Sequence, residues 1–432
     1  MRKSPIDKVI EPLSRFISQE FMGGVILFIS VVFAILWVNS SAEESYRHLW
    51  ELTFSIGFNG QILDYPLHAW INDGLMAIFF FVIGLELKRE FIAGELSTIK
   101  KASLPMVAAI GGMIVPAGIY LIINHGLVSQ KGWGVPMATD IAFALALLSL
   151  AGKHIPSSVK VFLSALAVAD DLGAILVIAF FYSTGIEAFP LLIAAIFLLL
   201  LALGNWLGIR SVAFYIIFGF VVWVGFLLSG AHATIAGVFV AFTIPARTKI
   251  DENQYSSVLR KLINDFNAEI PNNSTLTTPE QHYTIQKVKK ISADSETPLQ
   301  KIEYALHPWV AFGIIPVFAL ANAGMAIRSD FFSSVLNPVS MGVSLGLVAG
   351  KFIGVFSFSW LFVRFSSAQL PHLATWKHLA GVALLAGVGF TMSLFITGLA
   401  FSSPETIDQS KYGILLASVV SGLLGLWVLR KR

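Results

Sequence analysis

The run Val161-Phe-Leu-Ser-Ala-Leu-Ala-Val-Ala-Asp-Asp-Leu-Gly-Ala-Ile-Leu-Val-Ile-Ala-Phe-Phe181 carries no charge except two adjacent aspartates, Asp170 and Asp171, near its middle. About 20 mostly apolar residues in helical form cross the hydrocarbon core of a bilayer. A charge at the bilayer centre costs about 2.5–3.5 kcal/mol on insertion scales, and two neighbours also repel. Groups this destabilising are found chiefly in ion pathways and proton relays. The stretch therefore reads as a membrane span that carries its own functional carboxylates.

Outward from it, the rest of the chain has the same character. Of its residues 56% are hydrophobic and 13% charged, against about 25% charged in soluble domains. Apolar runs of span length recur, and the short alternating segments of a β-barrel are absent. We expect an all-α integral membrane protein of twelve spans: Phe21–Asn39, Leu67–Glu90, Leu104–His125, Gly134–Ala151, Ser158–Tyr182, Phe189–Leu207, Val212–Ser229, Ala233–Ile244, Leu306–Ala326, Ser340–Val363, His378–Phe401 and Tyr412–Leu429. The eighth is short enough to lie buried without crossing fully. The first follows a charged segment, residues 1–20, and lacks a small-residue cleavage site, so it reads as a retained span.

Charge orients the spans. With the N-terminus inside, only Arg47, Lys131, Arg328 and Lys411 of the 29 basic residues fall in external loops, and Lys351 lies within a span. The other 24 are cytoplasmic or at cytoplasmic helix ends, which places both termini in the cytoplasm. A formal net charge of +3 suggests no nucleic-acid partner, and the lack of cysteine excludes disulfides, thiolate catalysis and Cys-ligated metals. Between the spans, residues 40–66 suggest an external hairpin turning at Asn59-Gly60. Residues 246–303, with Pro271 and Pro279, read as a long polar cytoplasmic loop. It is mostly weakly structured, with helical tendency at Val258–Asn267 and Gln286–Ser292.

Two spans contain helix breakers. Pro136-Met-Ala-Thr-Asp140, preceded by Gly132-Trp-Gly134, interrupts the fourth, and Ala386-Gly387-Val-Gly389-Phe-Thr391 the eleventh. Each is the middle of a three-span group (spans 3–5 and 10–12). The groups are offset by seven spans, an odd number, so they run in opposite directions. Paired interruptions in an inverted repeat point to a transporter site at the midplane. Broken helices expose positive N-terminal and negative C-terminal ends, which Asp140 and Lys351 respectively are suited to neutralise. A buried Lys351 needs a carboxylate. Successive helical residues point about 100° apart, so one of Asp170 and Asp171 pairs with it while the other faces a cavity. Glu86 and Glu90, four residues apart at the end of the second span, form an acidic cytoplasmic mouth or a solvated helix end. His232 and His307 titrate in the range useful for pH sensing.

Taken together, these residues resemble the NhaA family of bacterial sodium/proton antiporters. The segments that carry the likeness are Asn72-Asp-Gly-Leu-Met-Ala-Ile-Phe-Phe, Gly84-Leu-Glu-Leu-Lys-Arg-Glu90, Ala109-Ile-Gly-Gly-Met-Ile-Val-Pro116, Ala138-Thr-Asp-Ile-Ala-Phe-Ala144 and Asp170-Asp-Leu-Gly-Ala174. They continue with His232-Ala-Thr-Ile-Ala-Gly237, His307-Pro-Trp309, Ala321-Asn-Ala-Gly324, Gly350-Lys351 and Gly389-Phe-Thr-Met-Ser393. The resemblance implies Asp171 as the principal carboxylate for Na⁺, Li⁺ or H⁺, and Asp170 as its neighbour, paired with Lys351. Thr139 and Asp140 would sit at the crossing of unwound chains, and Glu86 and Glu90 would form a pH-responsive funnel, with His232 a further candidate for pH response from its titration range. It further implies electrogenic exchange activated at alkaline pH, a bacterial inner-membrane location amid lipid, no cofactor, and a homodimer formed through the external hairpin. The loop at 246–303 is longer than the family's. A sodium-coupled symporter of an organic anion is the alternative, although few mid-span polar groups exist to line an organic pocket. An intramembrane aspartyl protease lacks its Gly-x-Gly-Asp context here, and paired, crowded charges disfavour a passive channel.

Overall fold

A computed structural model describes residues 20–58, 61–152, 154–183, 185–269, 276–327, 335–366 and 368–431. Most of the N-terminal segment, the Asn59-Gly60 turn, Pro271 and Arg328 lie outside the described residues.

Helix α1 (Glu20–Val38) turns by 114° into α2 (Glu43–Glu51). The second helix carries Glu43, Glu44, Arg47 and Glu51, so it is suited to the membrane surface and does not continue the span. Strands β1 (Thr53–Phe58) and β2 (Gln61–Pro66) pair antiparallel, with Thr53 opposite Pro66. Part of the expected external hairpin is thus helical: Glu-rich residues 43–51 lack strand alternation. Helix α3 (Leu67–Ala93) and α4 (Ile99–Ile123) come next. A 3₁₀ segment, Val128–Met137, meets α5 (Ile141–Ala151) at 45°, and α6 (Ser157–Tyr182) carries the aspartate pair. Then come α7 (Ala188–Trp206), α8 (Val212–Ser229) and α9 (Ala233–Thr243).

The 11 residues of α9 give about 17 Å of helix at about 1.5 Å per residue, well short of the roughly 30 Å hydrocarbon core. It is held among its neighbours: a Cβ on Gly237 would sit 2.3 Å from the Ala77 carbonyl of α3.

The 246–303 segment departs from expectation. It holds two helices, α10 (Glu252–Ala268) and α11 (Pro279–Ser295), packed on each other, in place of a mostly weakly structured loop. The physical reason lies in the ends. Asp251 accepts a hydrogen bond from Gln254 N at 2.7 Å, and Thr278 with Gln281 forms a reciprocal capping box ahead of Pro279. Between the helices, the Tyr255 hydroxyl meets Ser292 Oγ at 3.1 Å. Average composition does not register such local capping.

Helix α12 (Pro298–Asn322) begins eight residues before the expected span, because Thr297 caps it and Pro298 fits its first turn. Helix α13 (Pro338–Phe365) has Lys351 at its centre. Helices α14 (Trp376–Leu385) and α15 (Phe390–Ala400) meet at 43°, and α16 (Pro404–Arg430) ends the fold. Like α12, it starts in polar sequence that hydropathy excludes from a span. Among the described residues, eight helices are long and apolar enough to cross a membrane. The bent pairs raise the count to eleven, and α9 is the short twelfth.

Helices α4 and α13 run antiparallel. Gly342, Gly346, Gly350 and Gly354 lie in turn against Tyr120, Pro116, Pro116 and Gly111. At the crossing, a Cβ on Gly354 would fall 2.1 Å from the Gly111 carbonyl, so the backbones touch. One apolar core, around Leu104, Leu148, Leu163, Val355 and Leu385, lies inside the bundle made by the two repeat groups, α4–α6 and α13–α16. Another, which includes Phe80, Phe318 and Phe395, joins that bundle to the remaining spans, α1, α3, α7–α9 and α12. Outward-facing groups such as Phe189 and Trp206 of α7, 73% and 82% exposed, face lipid in a membrane.

Candidate functional site

Both aspartates of α6 are buried, at 2% and 1% exposure, as is Lys351 at 1%. A wide π-turn, Gly346–Gly350, directly precedes Lys351. Such a turn adds a residue to the helical repeat and re-aims the side chains beyond it. Together with the Gly111–Gly354 contact, it lets the lysine cross from α13 to α6, where its ammonium bonds Asp170 Oδ2.

The Thr139 hydroxyl, in the gap between Met137 and Ile141, is 2.8 Å from Asp170 Oδ2 and 2.8 Å from the Ala386 carbonyl. It has one hydrogen, so it donates to one acceptor at a time. Ala386 lies just past the last residue of α14, so Thr139 touches an exposed C-terminal carbonyl. Lys351, the residue assigned to that negative end from sequence, contacts Asp170.

Asp140 joins the two breaks. Its Oδ1 accepts from Phe143 N at 3.0 Å, the first turn of α5. Its Oδ2 accepts from Thr391 N at 3.1 Å and Thr391 Oγ1 at 2.5 Å, the first turn of α15. Its own N–H donates to the Val388 carbonyl at 2.7 Å. One carboxylate thus caps two helices whose N-terminal donors would otherwise be unsatisfied. Gly389 allows the chains to cross: a Cβ there would lie 3.0 Å from the Ala138 carbonyl.

Unlike Asp140 and Asp170, Asp171 has no hydrogen bond or ion pair to its carboxylate among the described residues. Its Oδ1, like that of Asp170, is buried with no hydrogen-bond partner among the described residues. An unsatisfied buried acceptor costs about 1–3 kcal/mol, which a cation or a proton would recover. Asp170, Asp140 and Lys351 lie within Coulombic reach of Asp171. No group of three or more His, Asp or Glu among the described residues is placed to cage a metal. The donors suit weak, exchangeable binding of a hard cation by carboxylate and backbone oxygens.

The charged residues at the C-terminal end of α3 separate into two environments. Glu86 Oε1 lies 3.5 Å from His307 Nδ1, at an open surface. Glu90 is turned to local use: its Oε2 accepts from Glu95 N at 2.9 Å, closing the turn after α3. Arg89 pairs with Glu303, which is 3% exposed, and Lys88 donates to the Phe242 and Ile244 carbonyls at the end of α9. Sequence does not single out Glu303, since it sits at the polar margin of a span. Its spacing of four residues from His307 is the available signal. Thr391 stands out in sequence only as part of a breaker motif.

His232 precedes α9, at the end of that helix opposite Lys88. Burial pushes its pKa below the usual histidine value, partly offset by the Tyr182 carbonyl. It is therefore neutral at neutral and alkaline pH.

Broken helices crossing beside buried carboxylates, within an inverted repeat, are the architecture of a membrane transporter. The sequence model of the family described as "Na+/H+ antiporter 1" matches residues 14–429. A Na(+)/H(+) antiporter NhaA of Oleidesulfovibrio alaskensis is 47% identical over 99% of this chain and 95% of its own length. A Na(+)/H(+) antiporter NhaA 2 of Syntrophotalea carbinolica is 44% identical over 98% and 96%, and a Na(+)/H(+) antiporter NhaA 1 of Psychromonas ingrahamii 44% over 94% and 93%. The chain belongs to the NhaA family of Na⁺/H⁺ antiporters.

Proposed function

We propose that this chain exports Na⁺, and Li⁺, from the bacterial cytoplasm in exchange for external H⁺. The observation that carries the reading is the division of labour in α6: Asp170 is held by Lys351 and Thr139, while no hydrogen bond or ion pair among the described residues holds the Asp171 carboxylate. In the proposed cycle, ionised Asp171 binds the cation with backbone and water oxygens. The bundle of α4–α6 and α13–α16 rocks against the other spans and exposes the site outside. Protons displace the cation there, and the protonated carrier returns. Coupling arises from competition, because a protonated carboxylate has little affinity for Na⁺.

A second proton on the Asp170–Lys351 pair would make the exchange electrogenic, so that membrane potential drives export. The cluster of Glu86, Arg89, Glu303 and His307 at the cytoplasmic mouth supports activation at alkaline pH, with Glu90 acting on it through Arg89. We place the protein in the inner membrane with both termini cytoplasmic, from the distribution of lysine and arginine, and as a homodimer joined at the β1–β2 hairpin.

The test is a ΔpH dye assay in everted vesicles between about pH 6.5 and 8.5, with Asp171→Asn alongside. Na⁺-induced dequenching that is lost in the variant supports the reading. Ordinary exchange by well-expressed Asp171→Asn sinks it.

A further inference from the structure

We propose that Lys411 and Tyr412, adjacent residues in the second and third turns of α16, latch the external side of the ion site shut and release the end of α12 each time the carrier opens outward. The proposal rests on the alternating-access reading above.

The two side chains belong to the bundle that holds Asp171, and the carbonyls they hold belong to the other. Helix α12 ends at Asn322, and residues 323–327 continue without helical structure. The last carbonyls of a helix and those just beyond have no intrahelical donor. Lys411 Nζ donates to the Gly324 carbonyl at 2.9 Å, and the Tyr412 hydroxyl to the Ala326 carbonyl at 2.5 Å. Neighbouring residues on one helix thus engage alternate carbonyls of the stretch. Tyr412 is 7% exposed, so its bond is shielded from water.

The receiving stretch is fixed from its own side. Asn39, at the end of α1, donates to the Met325 carbonyl at 2.9 Å and accepts from Ile327 N at 2.7 Å. Tyr46 of α2 reaches the Leu320 carbonyl at 2.8 Å. Gly324 is required there, because a Cβ would fall 2.2 Å from the Tyr46 hydroxyl. The stretch is therefore a rigid keeper, built by α1, α2 and α12, onto which α16 closes. The cytoplasmic contacts described above, Arg89–Glu303 and Glu86–His307, stay within one bundle. Those of Arg430 with the Leu150 carbonyl and His154 with the Leu429 carbonyl stay within the other. The Lys411 and Tyr412 bonds cross between bundles at the external end.

A carrier whose competent state is rarely populated binds with an apparent affinity reduced by that population. Loss of the latch raises the outward-open fraction, so external apparent affinity for Na⁺ improves while cytoplasmic affinity, already near its limit, barely moves. A bond to a charged donor carries roughly a tenfold or larger change in such an equilibrium.

The experiment compares KM for Na⁺ from each side, in right-side-out and everted vesicles, for the full-length chain and Lys411→Met/Tyr412→Phe. The expected result is an external KM lowered about tenfold, with the cytoplasmic KM within roughly twofold and Lys411→Arg closer to the parent protein. Equal changes on both sides, or none, overturn the latch. If the double variant does not fold, Tyr412→Phe, which loses only a hydroxyl, is read the same way with a smaller shift. Parent protein that shows no Na⁺-dependent exchange would instead overturn the transport reading itself.

Discussion

Asp140 offers the sharpest test of how the site is built. It accepts from Phe143 N, in the helix it precedes, and from Thr391 N, 251 residues further along the chain. In Asp140→Ala both N–H groups are left in a dry interior. Each unsatisfied buried donor costs about 1–3 kcal/mol, so the two together cost roughly 2–6 kcal/mol. Asp140→Asn keeps one oxygen and can cap one helix, but its amide nitrogen then faces the other N–H. Both variants remove the negative charge, so relief of its desolvation cancels between them. Alanine should therefore be less stable than asparagine by one helix end, about 1–3 kcal/mol, and asparagine less stable than the parent. Thr391→Val isolates the hydroxyl bond and should lose about 1 kcal/mol. Equilibrium unfolding in mixed SDS micelles, monitored by the chain's 10 tryptophans, reads these differences directly. Alanine and asparagine variants of equal stability would refute the shared cap.

Other consequences are as specific. Lys351→Ala strands the buried Asp170 and should destabilise by about 3–5 kcal/mol. Adding Asp170→Asn should restore much of that in the same assay, and a purely additive double variant would contradict the pairing. Gly354→Ala drives a methyl into the Gly111 carbonyl and should cost about 1–3 kcal/mol as α4 and α13 separate. Gly118→Ala, with open space around its Cβ, should be neutral or stabilising; similar losses at both positions would argue against the close crossing. His232 has a folded pKa below the ordinary histidine value of 6.5, so the unfolded chain binds the proton more tightly. Its effect is absent above about pH 6.5–7 and becomes a loss of stability as pH falls below that. His232→Gln should flatten the acid side of a melting-temperature profile and leave pH 8 unchanged, whereas an unaltered acid slope would exclude the assignment.

Much of this architecture is legible because burial in lipid is a sum along the chain. Each apolar run registers by itself, and so do Pro136, Gly387 and Gly389 as breakers, since their effect on the backbone is local. The charges of Asp170, Asp171 and Lys351 are conspicuous against that background. Less legible are features that depend on a few capping atoms: the α10–α11 hairpin and the early starts of α12 and α16. Glu303 escapes notice because a carboxylate at a span margin looks solvated until Arg89 is brought against it.

Hydrophobic length, charge asymmetry and the spacing of breakers are one-dimensional properties, and they suffice for the membrane class, the number of candidate spans and the inverted pairing of spans 3–5 with 10–12. Partnership is not one-dimensional. Hydrogen bonds demand distances near 3 Å and defined angles, and residues far apart in sequence meet those demands only through packing. Tertiary structure alone decided that one Asp140 serves two helices, and that Lys411 and Tyr412 close on the end of α12.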